Sequence, residues 1–316
     1  MKKSILITLA MILAVVSVAS LSACGNEFNA DKNITVVARE LSSGTREAFD
    51  KVVTDGTHYL NEKDKDGNTV FRTTAKASVL GKTGMVLSAV QSDKQAIGYV
   101  SLGSVDDSVK VVKVAGVLPS RESVLNGTYK IQRPFVVMTT SKTALSARAA
   151  DFLTFLKSDK LKGICDSEEV GTIFLSDGAM RANAGKEPIA VGSFKKQATL
   201  PTGEKIVVRG STSMEKLINA AAKEYAATYG ANASDIFDIQ LEGSSVGRKA
   251  VESDNSGNVI GLSSAAVNKD GIDSFNVCLD AVAVVVNQAN TIVSDLSLEQ
   301  LYKIYTAEIT KFNQLG

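Results

Sequence analysis

Short runs of β-branched residues alternate with longer segments of helical periodicity along this chain, and no other feature limits its fold more. Residues 34–38, 96–100 and 282–286 are apolar runs of strand length. Segments such as residues 144–161 instead repeat their apolar side chains at the spacing of an amphipathic helix. Strands that alternate with helices are typical of α/β proteins, in which helices cover a largely parallel sheet. The chain is therefore predicted to have an α/β fold.

The charge balance excludes a large basic surface for nucleic acid, because 35 Lys and Arg residues stand against 34 Asp and Glu residues. A length of 316 residues exceeds that of an average domain, which predicts two cores. With three cysteines and one histidine, the sequence indicates neither a disulfide framework nor a metal site, and no cofactor motif is evident. Cys165 and Cys278 have apolar neighbours and are predicted to be buried thiols.

The first two dozen residues have the features of a secretion signal. Lys2 and Lys3 precede an apolar stretch over residues 5–18, and small residues then lead to Cys24. This arrangement resembles the lipobox of bacterial lipoproteins, which are cleaved before a cysteine that carries lipid. We predict a signal peptide over residues 1–23, lipid on Cys24, a polar tether over residues 24–33 and an extracytoplasmic protein anchored to the cell membrane. The alternative is an uncleaved anchor, although the apolar stretch is shorter than the roughly 20 residues of a membrane-spanning helix.

Gly, Ser and Thr residues recur where a strand should end and a helix should begin. Glycine lets a ligand approach the backbone, hydroxyl groups donate hydrogen bonds, and the first N–H groups of a helix carry the positive end of its dipole. Open α/β sheets bind ligands at the carboxyl ends of their strands, so these junctions together predict an anion site. At any single junction the alternative is a simple helix cap. The junctions are residues 42–45, 210–213, 243–245 and 261–264.

Arg39 ends the first predicted strand and precedes the first junction by three residues. The planar guanidinium of arginine binds an oxyanion through two parallel hydrogen bonds. Arg39 is therefore the candidate cation of the site. The alternative is a salt bridge with the neighbouring Glu40.

Several segments resemble phosphate-binding proteins of bacterial phosphate ABC transporters. Residues 39–45 resemble the R-x-x-x-S-G-T segment of that family, and residues 96–102 resemble its AIGYVSL segment. Further segments that resemble the family are residues 210–213, 243–247, 260–264, 280–287 and 296–315. The resemblance implies a two-lobed periplasmic binding protein-like fold of type II, a Venus flytrap with two hinge-crossing strands. It also implies a monomer without enzymatic activity that captures inorganic phosphate between its lobes and delivers it to the permease subunits of an ABC importer.

The order of these segments is rotated relative to the family, since the segment with Arg39 opens this chain instead of following the other loops. A circular permutation explains this order, and the alternative is a truncated tandem of two binding proteins. In the permuted arrangement, the strands over residues 133–138 and 281–287 cross between the lobes. One lobe then comprises residues 34–133 plus 285–316, and the other comprises residues 134–284.

The resemblance implies ligand-binding residues on both lobes. They are Arg39, Ser43, Gly44 and Thr45 on the discontinuous lobe, and Thr212, Ser213, Ser244 and Ser264 on the continuous lobe. Some family members have Asp at the position of Ser264, so this chain departs from the family there.

A carboxylate in the site would select phosphate over sulfate. Phosphate near neutral pH still carries a proton that it can donate, whereas sulfate has only acceptor oxygens. We predict that Asp280 has this role, because it begins an apolar stretch where an unpaired carboxylate would be costly. Glu40 and Glu242 are the other candidates, and a pairing of Asp280 with Arg209 or Arg39 is the alternative for that residue.

Other functions compete with phosphate capture. One is a binding protein for another oxyanion, such as sulfate or molybdate. A second is a penicillin-binding-type serine enzyme with Ser213 and Lys216 in its active site. The sequence matches the S-x-x-K, S-D-N and K-T-G patterns of that class at residues 213–216, 253–255 and 82–84, but the third pattern precedes the serine instead of following it. A third is an interaction lipoprotein with an inactive cleft.

Overall fold

A computed structural model describes residues 27–167, 173–174 and 192–315 as a mixed α/β protein. The strands are β1 (Thr35–Arg39), β2 (Asn61–Lys63), β3 (Thr69–Phe71), β4 (Ser78–Leu80), β5 (Ala96–Ser101), β6 (Val109–Val114), β7 (Gln132–Thr140), β8 (Ile173–Phe174), β9 (Ile206–Gly210), β10 (Phe237–Leu241), β11 (Val259–Ser263), β12 (Ile272–Asn287) and β13 (Asp295–Leu296). The helices are α1 (Gly44–Asp50), α2 (Thr83–Ser92), α3 (Arg121–Leu125), α4 (Ala147–Leu156), α5 (Asp159–Cys165), α6 (Glu215–Thr228), α7 (Ala233–Ile236), α8 (Ser244–Glu252) and α9 (Leu298–Tyr305). The predicted α/β class is confirmed.

The described strands, apart from the β2–β3 hairpin, form one continuous sheet. Its main order is β10-β9-β11-β7-β12-β5-β1-β4, with β6, β8 and β13 paired beside this path. Strands β9, β10 and β11 are parallel to one another at one side, and β1, β4 and β5 are parallel at the other. Antiparallel β7 and β12 join the two sides, so the sheet runs through the whole described molecule.

Two large apolar cores lie along this sheet and are separated near β7 and β12. The first core is built from residues between 36 and 131 and between 279 and 312, and its largest members include Phe49, Tyr99, Tyr129, Tyr305 and Phe312. The second core is built from residues between 135 and 278, and its largest members include Phe152, Phe155, Tyr225 and Phe237. Each core packs against its own half of the sheet, so β7 and β12 are the strands that connect two lobes.

Two elements differ from their sequence prediction. The helix predicted over residues 144–161 is two helices, α4 and α5, because the Ser158 hydroxyl accepts a hydrogen bond from the N–H of Lys160 and caps a new helix. Strand β12 begins at Ile272, well before the apolar run at 282–286, because residues 272–281 pair with β7.

The predictions for the signal peptide over residues 1–23 and for lipid on Cys24 lie outside the described residues. Cys165 and Cys278 are both buried, as predicted. Within the described ranges, no helix is long and apolar enough to cross a membrane.

Candidate anion-binding site

Three of the four junctions predicted from sequence connect a strand to a helix, at residues 42–45, 210–213 and 243–245. The prediction is wrong at residues 261–264, because β11 ends at Ser263 and a loop, not a helix, leads to β12. Strand β1 ends at Arg39, and α1 begins at Gly44 with Ser43 as its cap. The Ser43 hydroxyl accepts hydrogen bonds from the N–H groups of Thr45 and Arg46 at 3.2 and 3.4 Å. Ser43 therefore acts as a helix cap, which orients the first turn of α1.

Buried hydroxyl groups from both lobes meet between these junctions, and we call them the hydroxyl cluster. Its members are Thr45, Thr83, Ser211, Thr212, Ser213, Ser244 and Ser264. Thr45 Oγ1 lies 3.0 Å from Ser213 Oγ, and Thr83 Oγ1 lies 3.2 Å from Thr212 Oγ1. Within the second lobe, Ser264 Oγ lies 2.9 Å from Ser211 Oγ and 3.3 Å from Ser244 Oγ. The cluster therefore joins the carboxyl ends of strands that belong to different cores.

Arg39 brings the cationic group to this cluster. Its Nη1 donates to Thr83 Oγ1 at 3.2 Å and its Nη2 to Thr212 Oγ1 at 3.4 Å. Its Nε and Nη2 each donate to the Glu40 carboxylate at 2.9 Å. Arg39 is thus within the candidate site and in a salt bridge at once, with only 3% of its side chain exposed. The salt bridge with Glu40 considered from sequence is present, and the anion-binding role of Arg39 stays a prediction.

Gly44 allows the two lobes to approach closely. A Cβ atom at Gly44 would lie 2.6 Å from the carbonyl carbon, carbonyl oxygen and Oγ of Ser264. Real Cβ contacts do not reach this distance, and backbone atoms of Ser264 cannot rotate away. Only glycine therefore fits at the start of α1 with the lobes in this arrangement.

We expect Gly44→Ala to weaken anion binding by at least about fivefold, because the added methyl group forces the lobes apart and overpacking of this kind costs about 1–3 kcal/mol. Isothermal titration calorimetry measures the effect. Gly84→Ala is the matched control, since Gly84 also lies in the first turn of a helix and its Cβ would meet no atom within 4 Å. Equal affinities of the two variants would show that the approach of Gly44 to Ser264 has no role in binding.

Asp280 has other partners than those considered from sequence. Its Oδ2 accepts hydrogen bonds from Arg133 Nε and Nη2 at 3.1 and 2.9 Å, and its Oδ1 accepts one from the Ser101 hydroxyl at 2.8 Å. Burial raises the pKa of Asp280, and the charge of Arg133 opposes this rise. The pairing with Arg209 or Arg39 is wrong, because Arg209 binds Asp238 and Arg39 binds Glu40. The selectivity role of Asp280 stays a prediction.

Glu40 is the candidate carboxylate that lies at the cluster. Besides its hydrogen bonds with Arg39, its Oε1 approaches the loop before α8, where a Cβ at Gly243 would be 3.5 Å away. About a quarter of the Glu40 side chain is exposed, with 24% accessible to solvent. Glu40 therefore faces the opposite lobe and is reachable from the cleft.

The backbone of Arg39 is held by two further side chains. Its N–H donates to the Tyr99 hydroxyl at 3.1 Å, and its carbonyl accepts from Arg46 Nη1 at 2.8 Å. Arg46 Nε in turn donates to Asp50 Oδ2 at 3.0 Å. Burial raises the pKa of Asp50 to about 6, although the Arg46 guanidinium acts in the opposite direction.

The raised pKa of Asp50 predicts a stability change with pH. Between about pH 4 and pH 6, the folded protein retains a proton that the unfolded chain has lost, so the free energy of unfolding falls as the pH rises, by about 3 kcal/mol in total. Above about pH 6 the Asp50 carboxyl is ionised in both the folded and the unfolded protein, so it causes no further change in stability. Asp50→Asn cannot titrate, and we expect this decrease to be missing from its urea unfolding curves. An unchanged decrease would assign it to other groups.

No role in the site was predicted from sequence for Thr83, Tyr99 and Arg46. Ser211 lies in the predicted junction 210–213 but was not among the predicted ligand-binding residues. Thr83 follows Gly81 and Lys82 at the start of α2, so it belongs to a further strand-to-helix junction of the same kind. Strand β4 before it has only three residues and gave no apolar run. Tyr99 lies within the predicted strand 96–100, but no local pattern indicates that its hydroxyl reaches Arg39.

A cavity of about 460 Å³ opens between the lobes beside the cluster. Thr83, Ser104 and Asp106 line it from the first lobe, and Thr212, Lys216 and Asn219 line it from the second. The Ser213 hydroxyl contacts Thr45 and Thr83.

Within the described residues, no group of His, Cys, Asp and Glu side chains could hold a metal ion. The hydroxyl cluster thus combines neutral donors with the Arg39 guanidinium, and the Glu40 carboxylate lies beside them. Hydroxyl groups and a guanidinium are donors that can bind a tetrahedral oxyanion.

Sequence comparison matches this chain to a family model and to streptococcal relatives along most of its length. A family model described as the PBP superfamily domain matches residues 17–160 and 195–316. Phosphate-binding protein PstS 2 of Streptococcus pneumoniae is 33% identical over 311 residues, covering 93% of this chain and 94% of the relative. Phosphate-binding protein PstS 2 of Streptococcus agalactiae is 30% identical over 322 residues, covering 100% of both chains.

A solved structure agrees with these relatives. The crystal structure of a phosphate ABC transporter, phosphate-binding protein from Streptococcus pneumoniae superposes with a TM-score of 0.61 at 31% identity, covering 90% of this chain and 100% of that chain. The predicted resemblance and the periplasmic binding protein-like fold class are confirmed. The chain therefore belongs to the PBP superfamily, in the family of the streptococcal proteins named phosphate-binding protein PstS 2.

Proposed function

We propose that this protein is an extracytoplasmic solute-binding protein that captures inorganic phosphate between its lobes and delivers it to the permease subunits of an ABC importer. The observation that carries this proposal is the Arg39 guanidinium within hydrogen-bond distance of Thr83 from its own lobe and Thr212 from the other lobe. A tetrahedral dianion has acceptor oxygens on every side, and donors from two lobes match that shape. The names of the streptococcal relatives support phosphate as the ligand.

Each predicted site residue except Asp280 has a role in this proposal. Arg39 supplies the charge, the Thr45, Thr212, Ser213, Ser244 and Ser264 hydroxyls supply donors, and Gly44 allows the close approach of the two loops. Ser43 caps the first turn of α1 by accepting from the N–H groups of Thr45 and Arg46, and this orients the Thr45 hydroxyl towards Ser213. Closure of the lobes about β7 and β12 would surround the ligand. We propose a binding protein without enzymatic activity, and a penicillin-type reaction at Ser213 and Lys216 is the alternative that labelled penicillin would test.

The lobe boundaries and the chain order are also proposals. We assign residues 34–133 plus 285–316 to one lobe and 134–284 to the other. The two cores divide near this boundary but earlier, since residues 279–284 of β12 pack with the first core. A circular permutation is supported by the pairing of the two ends of the described chain, since the N–H of Ile34 donates to the carbonyl of Thr310 at 2.7 Å. Segments near the two ends could therefore be joined without moving the fold. We propose lipid on Cys24 as the membrane anchor and a monomer in solution.

Calorimetry with phosphate, sulfate and molybdate tests the function. We expect the purified protein to bind phosphate and not the other two oxyanions. For the carboxylate that selects phosphate, the position of Glu40 beside the cluster and its partial exposure support it over Asp280, whose side chain is fully buried against Arg133. Glu40→Gln should therefore weaken phosphate binding and admit sulfate, while Glu242→Gln should change neither. Tight sulfate binding by the unaltered protein, or no anion binding, would overturn the proposal.

A further inference from the structure

The peptide of Arg39 lies where strand β1 has separated from its neighbour. Strands β1 and β5 pair only at Thr35 with Ala96 and at Val36 with Ile97. Beyond Val36 the backbone of β1 needs other partners on that side, because a buried N–H without an acceptor is costly. The Tyr99 hydroxyl accepts the N–H of Arg39, and Arg46 donates to its carbonyl.

Both of these side chains also belong to the part of the molecule that carries the first anion-binding loop. Tyr99 is fully buried, and its ring stacks on Phe49 of α1 with centroids 4.1 Å apart and planes inclined by 13°. Arg46 lies in the first turn of α1 and pairs with Asp50 in the same helix. The peptide of Arg39 and the helix that begins with Gly44 and Thr45 are therefore held by the same two side chains.

We propose that Tyr99 and Arg46 are positioning residues that fix the Arg39 peptide relative to α1, so that anion affinity depends on a tyrosine hydroxyl outside the hydroxyl cluster. This inference rests on the proposed function, because it concerns the same site. The contact from Arg39 Nη2 to Thr212 Oγ1 is already 3.4 Å long. A hydrogen bond weakens steeply beyond this distance, so a small displacement of the Arg39 backbone breaks the contact with the second lobe.

Tyr305 provides a matched control for Tyr99. It is equally buried, its ring lies 5.7 Å from that of Tyr99 in the same aromatic group, and its hydroxyl also contacts β1, donating to the carbonyl of Val37 at 3.2 Å. Tyr99→Phe and Tyr305→Phe each remove one buried hydroxyl that bonds the β1 backbone. Only Tyr99→Phe removes a contact with Arg39, because the Tyr305 hydroxyl contacts Val37.

The experiment compares phosphate affinity, thermal stability and amide hydrogen exchange in the two variants. We expect Tyr99→Phe to weaken phosphate binding about tenfold, which corresponds to the loss of one buried hydrogen bond, and to accelerate exchange of the Arg39 N–H. Tyr305→Phe should lower the melting temperature similarly and leave phosphate affinity within about twofold. In an Arg39→Lys background, the effect of Tyr99→Phe on affinity should shrink, because the two changes act on one group.

Equal losses of affinity in Tyr99→Phe and Tyr305→Phe would overturn the inference and assign Tyr99 to the core alone. If Tyr99→Phe does not fold, Arg46→Lys tests the other contact with the same peptide, and full affinity in that variant overturns the inference. If the unaltered protein binds no phosphate, the proposed function fails. Exchange of the Arg39 N–H then still decides whether Tyr99 holds this peptide, since unchanged exchange in Tyr99→Phe rejects it.

Discussion

Replacing Arg39 with alanine should remove at least about 2–5 kcal/mol of phosphate binding free energy, the range for truncating one partner of a buried charge pair. The guanidinium is the cation that donates to hydroxyls of both lobes, and its loss also leaves Glu40 without its partner at the cleft. Binding would then depend on neutral hydroxyls beside an uncompensated carboxylate. Calorimetry with phosphate measures the loss directly.

Two further variants show whether the loss of phosphate affinity in Arg39→Ala is due to the guanidinium group of this residue. Arg39→Lys keeps the charge but not the planar fork, so we expect an affinity between those of the unaltered protein and Arg39→Ala. Arg209→Ala removes another arginine near a strand end, one that pairs with Asp238 at the surface, and should leave binding unchanged. An unaltered affinity in Arg39→Ala would show that Arg39 serves only its salt bridge with Glu40.

Asp280→Asn should lower the free energy of unfolding by about 3–5 kcal/mol, because it leaves the Arg133 charge buried without a counterion. The side chains of Arg133 and Asp280 are 2% and 0% exposed, and no hydrogen-bond partner is found for Arg133 Nη1 among the described residues. Urea unfolding measures the effect. The folded variant should retain the selectivity of the unaltered protein for phosphate over sulfate.

The Arg209–Asp238 pair is the control for this change. Arg209 Nη2 lies 2.7 Å from Asp238 Oδ2, but 40% of the Asp238 side chain is exposed, so Asp238→Asn should cost less than about 1 kcal/mol. Replacing both Arg133 and Asp280 with Met and Leu should recover much of the stability lost in Asp280→Asn, since the unpaired charge is then gone. A decrease of less than about 1 kcal/mol in the free energy of unfolding of Asp280→Asn would show that the pair of Arg133 and Asp280 is not important for stability.

Local patterns were sufficient to predict the α/β class and most of the residues that meet between the lobes. The junctions at 42–45 and 210–213 were readable because each places glycine and hydroxyl residues directly after an apolar run. Thr83 carries the same signal, but its three-residue strand β4 is too short and too exposed to stand out. The glycine and hydroxyl residues that follow a strand at these junctions can thus be recognised from a few neighbouring positions in the sequence.

Contacts between distant segments could not be predicted in the same way. A buried Asp280 that requires a partner was foreseeable from its apolar neighbours, but Arg133 is 147 positions away and becomes its partner only through the register of β7 and β12. The early part of β12 was missed because the polar residues Asp273, Ser274 and Asn276 interrupt the apolar run there. Tyr99 and Arg39 likewise meet across 60 positions.

The passage of a single sheet through both lobes has a mechanical consequence. A two-stranded ribbon formed by β7 and β12 is compliant when bent across its face, because that deformation leaves the hydrogen bonds between the strands intact. It is stiff against sliding of one strand along the other, because every bond of the ladder, and the pair formed by Arg133 and Asp280, would have to break together. The two lobes should therefore open by a hinge rotation about β7 and β12, with little sliding of one lobe past the other.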